Sequence, residues 1–242
     1  MAEGANVQRR KAQIFSAFDR VASRYDLLSG LNPGYHKHLQ WSAERLAVKK
    51  QGEGSRILDL CCGTGLSTEP LVRLYPKAAI MGVDLSEGML EKARKKEPLR
   101  SVVFSSGDGM DPAASGTKGP FDAILMAYGI RNMPDADTCL ANVIKLLAPG
   151  GVICVHEYSV CDSRWSRAVW NLVMFLIVIP LAFVTTGSAD IFRYLRRSVL
   201  EFDGKRGFEE RLGRAGFTDI ETLPMDGWQR GVLHTFRARR PA

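Results

Sequence analysis

Apolar and polar positions change their spacing several times along this chain of 242 residues, and each change marks a boundary. Between residues 11 and 25, Ile14, Phe15, Phe18, Val21 and Ala22 recur at the spacing of a helix with one apolar face. A second helical pattern covers residues 36–48, and the Gly/Pro/Asn cluster LLSGLNPGY between the two predicts a turn. From residue 56 the pattern alternates. Short apolar runs at 56–60, 79–85, 102–106, 122–127 and 152–158 predict strands, with helical patterns at 67–74, 87–96 and 135–147 between them. Pro149-Gly150-Gly151 predicts a break before the fifth strand. A helix at 207–217 and strands in DIETLPM and VLHTFRARR close the chain. Strand and helix in strict alternation predict βαβ units, hence an α/β fold with a doubly wound, seven-stranded, mostly parallel sheet. The expected organisation is an N-terminal helical cap (1–50), a ligand-binding core (51–160), an apolar helical insertion (161–203), and a final helix and strand pair completing the core (204–242).

The insertion is the anomaly in this pattern. Residues 168–189 carry no charge, a length that by itself suggests a membrane-spanning helix. A single crossing would strand the last helix and strands on the far side from the sheet they complete, leaving an unpaired sheet edge. Pro180 leaves a re-entrant hairpin open. The favoured expectation is a helical lid over a lipophilic ligand that also touches a membrane surface through residues 165–197. Arg164, Arg167, Arg193, Arg196 and Arg197 would face anionic headgroups there. A buried helix or a homodimer face is the alternative.

Composition narrows the classes further. Lys and Arg number 33 against 26 Asp and Glu, a net charge of +7, but the basic residues are scattered and not interleaved with aromatic ones, so nucleic acid is not an expected partner. The five cysteines form no C-x-x-C pair and have no ligand-like histidines, which predicts a reduced, cytoplasmic chain without structural zinc, peripheral at the membrane if the insertion touches it. The opening MAEGANVQRRKAQIF lacks the apolar core of a secretory signal.

The candidate chemistry lies in ILDLCCGTGLSTEPL. A glycine turn between strand and helix lets a ligand approach the backbone, but the dinucleotide fingerprint would need glycine where Thr68 stands. Asp59, four residues before the first glycine, suits a ligand ammonium rather than a pyrophosphate. Asp84, at the end of the second strand, can accept from both hydroxyls of a ribose, and Asp108, after the third, from an exocyclic amine such as adenine N6. Singly, Asp84 is also a helix cap and Asp108 a turn residue; together they fall where open α/β sheets bind ligands.

DLCCGTG, VDLSEGML, GDG, AYGIRNMPD and LLAPGG follow the order and spacing of the class I S-adenosylmethionine-dependent methyltransferases, which have a Rossmann-like fold. Gly129-Ile130-Arg131-Asn132, with the opening FDRVASRYDLLSGL, resembles the ubiquinone/menaquinone-biosynthesis C-methyltransferases. The resemblance implies S-adenosyl-L-methionine as cofactor, with Asp59, Gly63, Thr64 and Gly65 on its methionine portion. It implies Asp84 on the ribose, Met89, Asp108 and Gly109 on the adenine, and Ala127 on the inner face. The implied acceptor is a lipophilic aromatic, most simply a prenylated quinol, with another lipophilic natural product or a non-catalytic cofactor-binding subunit as the alternatives. Ring carbon attacks a methyl group well once a phenolic oxygen loses its proton, and a fixed cation favours that phenolate. Arg131 is expected to be that cation, Asn132 to orient the substrate oxygen, and Tyr25 to close the site from the cap. His156 or Glu157 is expected to serve as base. Cys61 and Cys62 are read as packing under the loop, and His36, His38 and His234 have no assigned role.

Overall fold

The computed structural model describes residue 32, residues 34–186 and residues 190–242. The first cap helix and Tyr25 lie outside the described residues. The elements are α1 (Tyr35–Glu44), β1 (Arg56–Leu60), α2 (Thr68–Leu74), β2 (Ala79–Asp84), α3 (Glu87–Lys95), β3 (Val103–Ser106), β4 (Phe121–Ala127), α4 (Ala136–Leu146) and β5 (Leu147–Tyr158). They continue with α5 (Arg164–Val173), a π-helical turn (Met174–Val178), α6 (Ile179–Thr186), α7 (Asp190–Glu201), α8 (Lys205–Arg214), β6 (Thr218–Pro224) and β7 (Leu233–Arg239).

The sheet is the seven-stranded, mostly parallel one that the alternation predicts, in the order β3-β2-β1-β4-β5-β7-β6, with β7 antiparallel to both β5 and β6. Its central strands read as nearly continuous apolar runs because both faces are covered. Leu58, Ile124, Ile153 and Phe236 pack with Leu140 and Val143 of α4 and with Phe208 and Leu212 of α8. On the opposite face Ile57, Ala123, Leu125 and Cys154 pack with Ala43 of α1 and Leu71 of α2. A third cluster joins the insertion to the sheet through Tyr158, Trp170, Met174 and Val199.

The helix expected at 207–217 runs Lys205–Arg214, and two further boundaries depart from the sequence expectation for a visible backbone reason. The helix expected to reach residue 48 stops at Glu44, and the chain then turns sharply, with Ala47 at φ 53°. The Pro-Gly-Gly run is not a break. It lies within β5, as an irregularity between the Phe121–Leu147 and Ala123–Val152 pairs, with Gly150 at φ 74°. Glycine admits that left-handed backbone, so the strand bulges and keeps pairing.

Candidate functional site

Strand order reverses at β1 and β4, and in open α/β sheets the crevice at the strand ends beside that reversal is the ligand site. Both strands end there in strained non-glycine residues, Cys61 at φ 62° and Tyr128 at φ 56°. Such conformations persist only where surrounding structure holds them and they cluster at functional sites. The surroundings are visible. The amides of Cys61 and Cys62 both donate to the Val83 carbonyl, at 2.8 and 3.1 Å, tying the loop to β2. A Cβ on Gly129 would stand 2.8 Å from both Cβ and Sγ of Cys61, and one on Gly109 would stand 3.0 Å from that sulfur, so the cysteine fills the space these glycines leave. Burial pushes the Cys61 and Cys62 thiols well above their ordinary pKa, which keeps them protonated packing groups.

Asp59 is fully buried at the end of β1. Its Oδ2 accepts from Ser67 Oγ at 2.8 Å and Thr68 Oγ1 at 2.6 Å, whereas its Oδ1 has no hydrogen-bond partner among the described residues. Burial raises this carboxyl from 3.8 to about 7 against those two hydroxyls, and the charge of Asp84 adds to the rise. A half-satisfied buried carboxylate at a glycine turn is short of one cationic or donor partner. Next to it, a Cβ on Gly63 would meet nothing within 4 Å, so the loop presents open backbone there. Thr64 is buried, and Gly65 needs its φ of 85° for the turn into α2.

Asp84 organises the same loop. Its Oδ2 accepts from the Gly63 amide at 2.8 Å and its Oδ1 from the Ser86 amide at 2.9 Å. The cap of α3 is Ser86, which accepts from the Met89 amide, while the Met89 side chain is buried beneath. Asp108 holds the turn after β3 by accepting from the Met110 amide at 3.0 Å, and Ala127 lies at the floor between β1 and β5. Asp59, Asp84, Asp108 and Ala127 thus stand at the C-terminal ends of four successive sheet positions, with open space beside the backbone at Gly63. These residues fit a ligand with an ammonium, a diol and an adenine, as S-adenosylmethionine has. Among the described residues no group of three or more His, Cys, Asp or Glu side chains could hold a metal ion.

The turn after β4, where Arg131 is expected as a fixed cation, carries a buried ion pair. Arg131 lies in a short 3-10 turn (Ile130–Asn132) after β4. Its Nη1 donates to Glu157 Oε1 at 2.5 Å, with side-chain exposures of 5% and 0%. Burial alone would lower the guanidinium pKa; the charge and hydrogen bond of Glu157 override it and hold the pKa above its ordinary value. Burial likewise pushes Glu157 up, against the pull of Arg131. Arg131 is therefore a compensated cation, not a bare one. Asn132 donates from Nδ2 to the Tyr128 carbonyl and accepts at Oδ1 from Tyr194 of α7, and Ser198 of α7 accepts from Arg131 Nε at 3.3 Å. A cavity of about 380 Å³ lies on this side of the turn, between Asn132, Met133, Tyr194 and Glu201.

Successive residues of a strand point to opposite faces, and that separates the two candidate bases. Glu157 turns to Arg131. His156 turns to α1, fully buried, with Nδ1 2.7 Å from Ser42 Oγ and Nε2 3.0 Å from Tyr128 Oη. Burial first, then the charges of His38, Arg45 and His234, keep its pKa well below 6.5. Towards the crevice His156 meets Tyr128, whose ring stacks on Tyr35 at 5.6 Å and 12° and lies 5.2 Å from Tyr158. Tyr128, Tyr35 and Ser42 were not singled out from the sequence. The available signal was the aromatic residue directly after Ala127 in AYGIRN.

Comparison with known proteins is consistent with this geometry. The ubiE/COQ5 methyltransferase family model matches residues 6–234. A demethylmenaquinone methyltransferase from Lactococcus lactis is 33% identical over 86% of this chain and 83% of its own length. The ubiquinone/menaquinone biosynthesis C-methyltransferase UbiE of Geobacter sulfurreducens is 30% identical over 86% and 81%. Among solved structures, a possible histamine N-methyltransferase from Thermotoga maritima superposes with a TM-score of 0.66 at 20% identity, covering 94% of this chain and 99% of that one. The cyclase SpnF superposes at 0.67 and 18% identity, covering 95% and 96%. Those two likenesses establish the shared fold, and the extent of the family match together with the 33% relative establishes more: this chain belongs to the ubiE/COQ5 methyltransferase family.

Proposed function

We propose that this methyltransferase moves the methyl group of S-adenosylmethionine onto a ring carbon of a prenylated quinol, the substrate class in the names of its relatives. The observation that carries the cofactor half is Asp59: a fully buried carboxylate with one oxygen unpartnered among the described residues, beside an open glycine turn at Gly63. When bound, the cofactor supplies an electrophilic methyl carbon on a sulfonium. Asp59 takes its ammonium, with Gly63, Thr64 and Gly65 around the amino-acid portion. Asp84 takes the ribose hydroxyls, Met89, Asp108 and Gly109 border the adenine, and Ala127 forms the inner face.

Alignment of the ring carbon supplies much of the catalysis in such a transfer. Arg131 and Asn132 orient the phenolic oxygen through N–H donors. Because Glu157 offsets the guanidinium charge, their contribution is direction more than net field. His156 is a positioning residue: neutral at working pH, it fixes the Tyr128 hydroxyl at the crevice and does not store a proton.

The test is turnover of a panel of reduced quinols, with long and short prenyl tails, using methyl-labelled S-adenosylmethionine and locating the label by NMR. Label on a ring carbon of a prenylated quinol is expected. Label on oxygen, or turnover confined to acceptors without a quinol ring, would overturn the acceptor assignment, and absence of cofactor binding would overturn the whole reading.

A further inference from the structure

The helical segment after β5 commits one face to the protein and leaves the other outside. Ser166, Trp170 and Met174 are buried and Val178 packs beside them, a stripe repeating every four residues. In a straight α-helix that stripe would rotate by about 40° per repeat. The wider π turn at Met174–Val178 counters the rotation and keeps the stripe against the fold. On the opposite face Trp165, Leu172, Phe175, Leu176, Ile177 and Phe183 are each more than half exposed among the described residues. The stretch Arg164–Leu181 is long and apolar enough to cross a membrane, with 17% of it buried inside the protein. A helix with one side held by Tyr158 and Val199 cannot cross alone; it can only lie along a surface.

The rim of this ridge is basic. Residues 164–201 contain five arginines and two carboxylates, Asp190 and Glu201. Asp190 pairs with Arg193 at 3.3 Å and Glu201 with Arg197 at 3.6 Å, so the excess of positive charge rests on Arg164 and Arg167, both exposed, and on Arg196, whose guanidinium sits 4.4 Å from the Phe175 ring centroid. An apolar ridge with arginines beside it matches a bilayer interface with anionic headgroups. A second copy of the chain docking face to face would bring like-charged rims together, which disfavours that occupant.

We infer that the exposed ridge of α5, the π turn and α6 docks this protein on the surface of an anionic lipid bilayer, lying in the headgroup layer without crossing it. The docked surface is one helix from the candidate site, because α7 carries Arg193, Arg196 and Arg197 and also binds Asn132 and Arg131 through Tyr194 and Ser198. A long-tailed acceptor then enters from the leaflet without passing through water.

The experiment is co-sedimentation of the full chain with phosphatidylcholine vesicles and with vesicles that also contain phosphatidylglycerol, at low and high salt, alongside sedimentation velocity without lipid. Binding to the anionic vesicles is expected, and F175E/L176E weakens it by at least about tenfold. Arg164→Gln/Arg167→Gln should weaken it less, and high salt should weaken the wild type. A cooperative thermal unfolding transition and an unchanged far-UV circular dichroism spectrum show that each variant is folded. No binding to anionic vesicles, equal binding to neutral ones, or unchanged binding by F175E/L176E overturns the inference. So does a lipid-free dimer that this variant dissociates while no vesicle binding is seen. Vesicle binding needs neither cofactor nor acceptor, so it fails or holds independently of the methyl-transfer reading.

Discussion

Asp59→Asn gives a test in which stability and binding move in opposite directions. Burial raises the carboxyl from 3.8 to about 7 against the hydrogen bonds of Thr68 and Ser67, with the charge of Asp84 adding to the rise. The folded pKa is the higher one, so the folded chain holds this proton more tightly than the unfolded chain does. Its contribution to stability is greatest in acid, drains away as pH climbs from about 4 to about 7, and stays low above that. At about 1.4 kcal/mol per unit, the charged residue costs the ligand-free fold about 4 kcal/mol above pH 7. An asparagine removes this pH-dependent cost and adds a pH-independent one of about 1–3 kcal/mol for its unpartnered amide. Urea denaturation without ligand should therefore show the variant gaining on the wild type by about 3 kcal/mol between pH 5 and pH 8. Calorimetric titration should show the converse. A ligand ammonium binds the ionised carboxylate, so wild-type affinity for S-adenosylmethionine should rise about tenfold from pH 5.5 to 7, below the titration of the ligand's own amine near 8. The asparagine variant should bind far more weakly and without that slope. A stability difference that is the same at both pH values, or unchanged affinity in the variant, would refute the placement of Asp59 against the ligand.

Three further outcomes follow from other contacts. Arg131→Met leaves Glu157 buried without its partner and should cost about 3–5 kcal/mol by denaturation, while Arg131→Met/Glu157→Gln recovers most of it yet stays inactive; recovered turnover would make the pair structural only. Tyr128→Phe removes the hydroxyl on His156 Nε2 and should lower kcat about tenfold with cofactor Kd unchanged, which single-turnover kinetics and titration separate; an unchanged kcat would remove Tyr128 from the mechanism. Gly129→Ala places a Cβ 2.8 Å from Cys61 and should cost about 1–3 kcal/mol, and pairing it with Cys61→Ala should return part of that in a double-mutant cycle; no coupling would show that the strained turn relaxes freely.

Period and punctuation are local properties, and they determined much of this protein without the fold. Runs such as RILDL and AIMGVD, separated by helical patterns and glycine turns, already imply a doubly wound sheet, because a strand buried on both faces must be continuously apolar. The gathering of Asp59, Asp84 and Asp108 at one end of the sheet was legible for the same reason: each ends or follows a strand, and the fold brings strand ends together whatever lies between them. The surroundings of Arg131 and His156 were not legible. Whether Arg131 is a bare cation depends on Glu157, distant in sequence and reached through the pairing of β4 with β5. Whether His156 or Glu157 meets the crevice depends on which way each alternate residue of β5 points, and a one-residue change of register would exchange them. The apolar run at 168–189 could be read from sequence as a span, a lid or a core helix, since composition measures how much of a helix is apolar and not which side finds a partner. Tertiary packing decided that, by burying Ser166, Trp170 and Met174 and leaving Phe175, Leu176 and Ile177 outside.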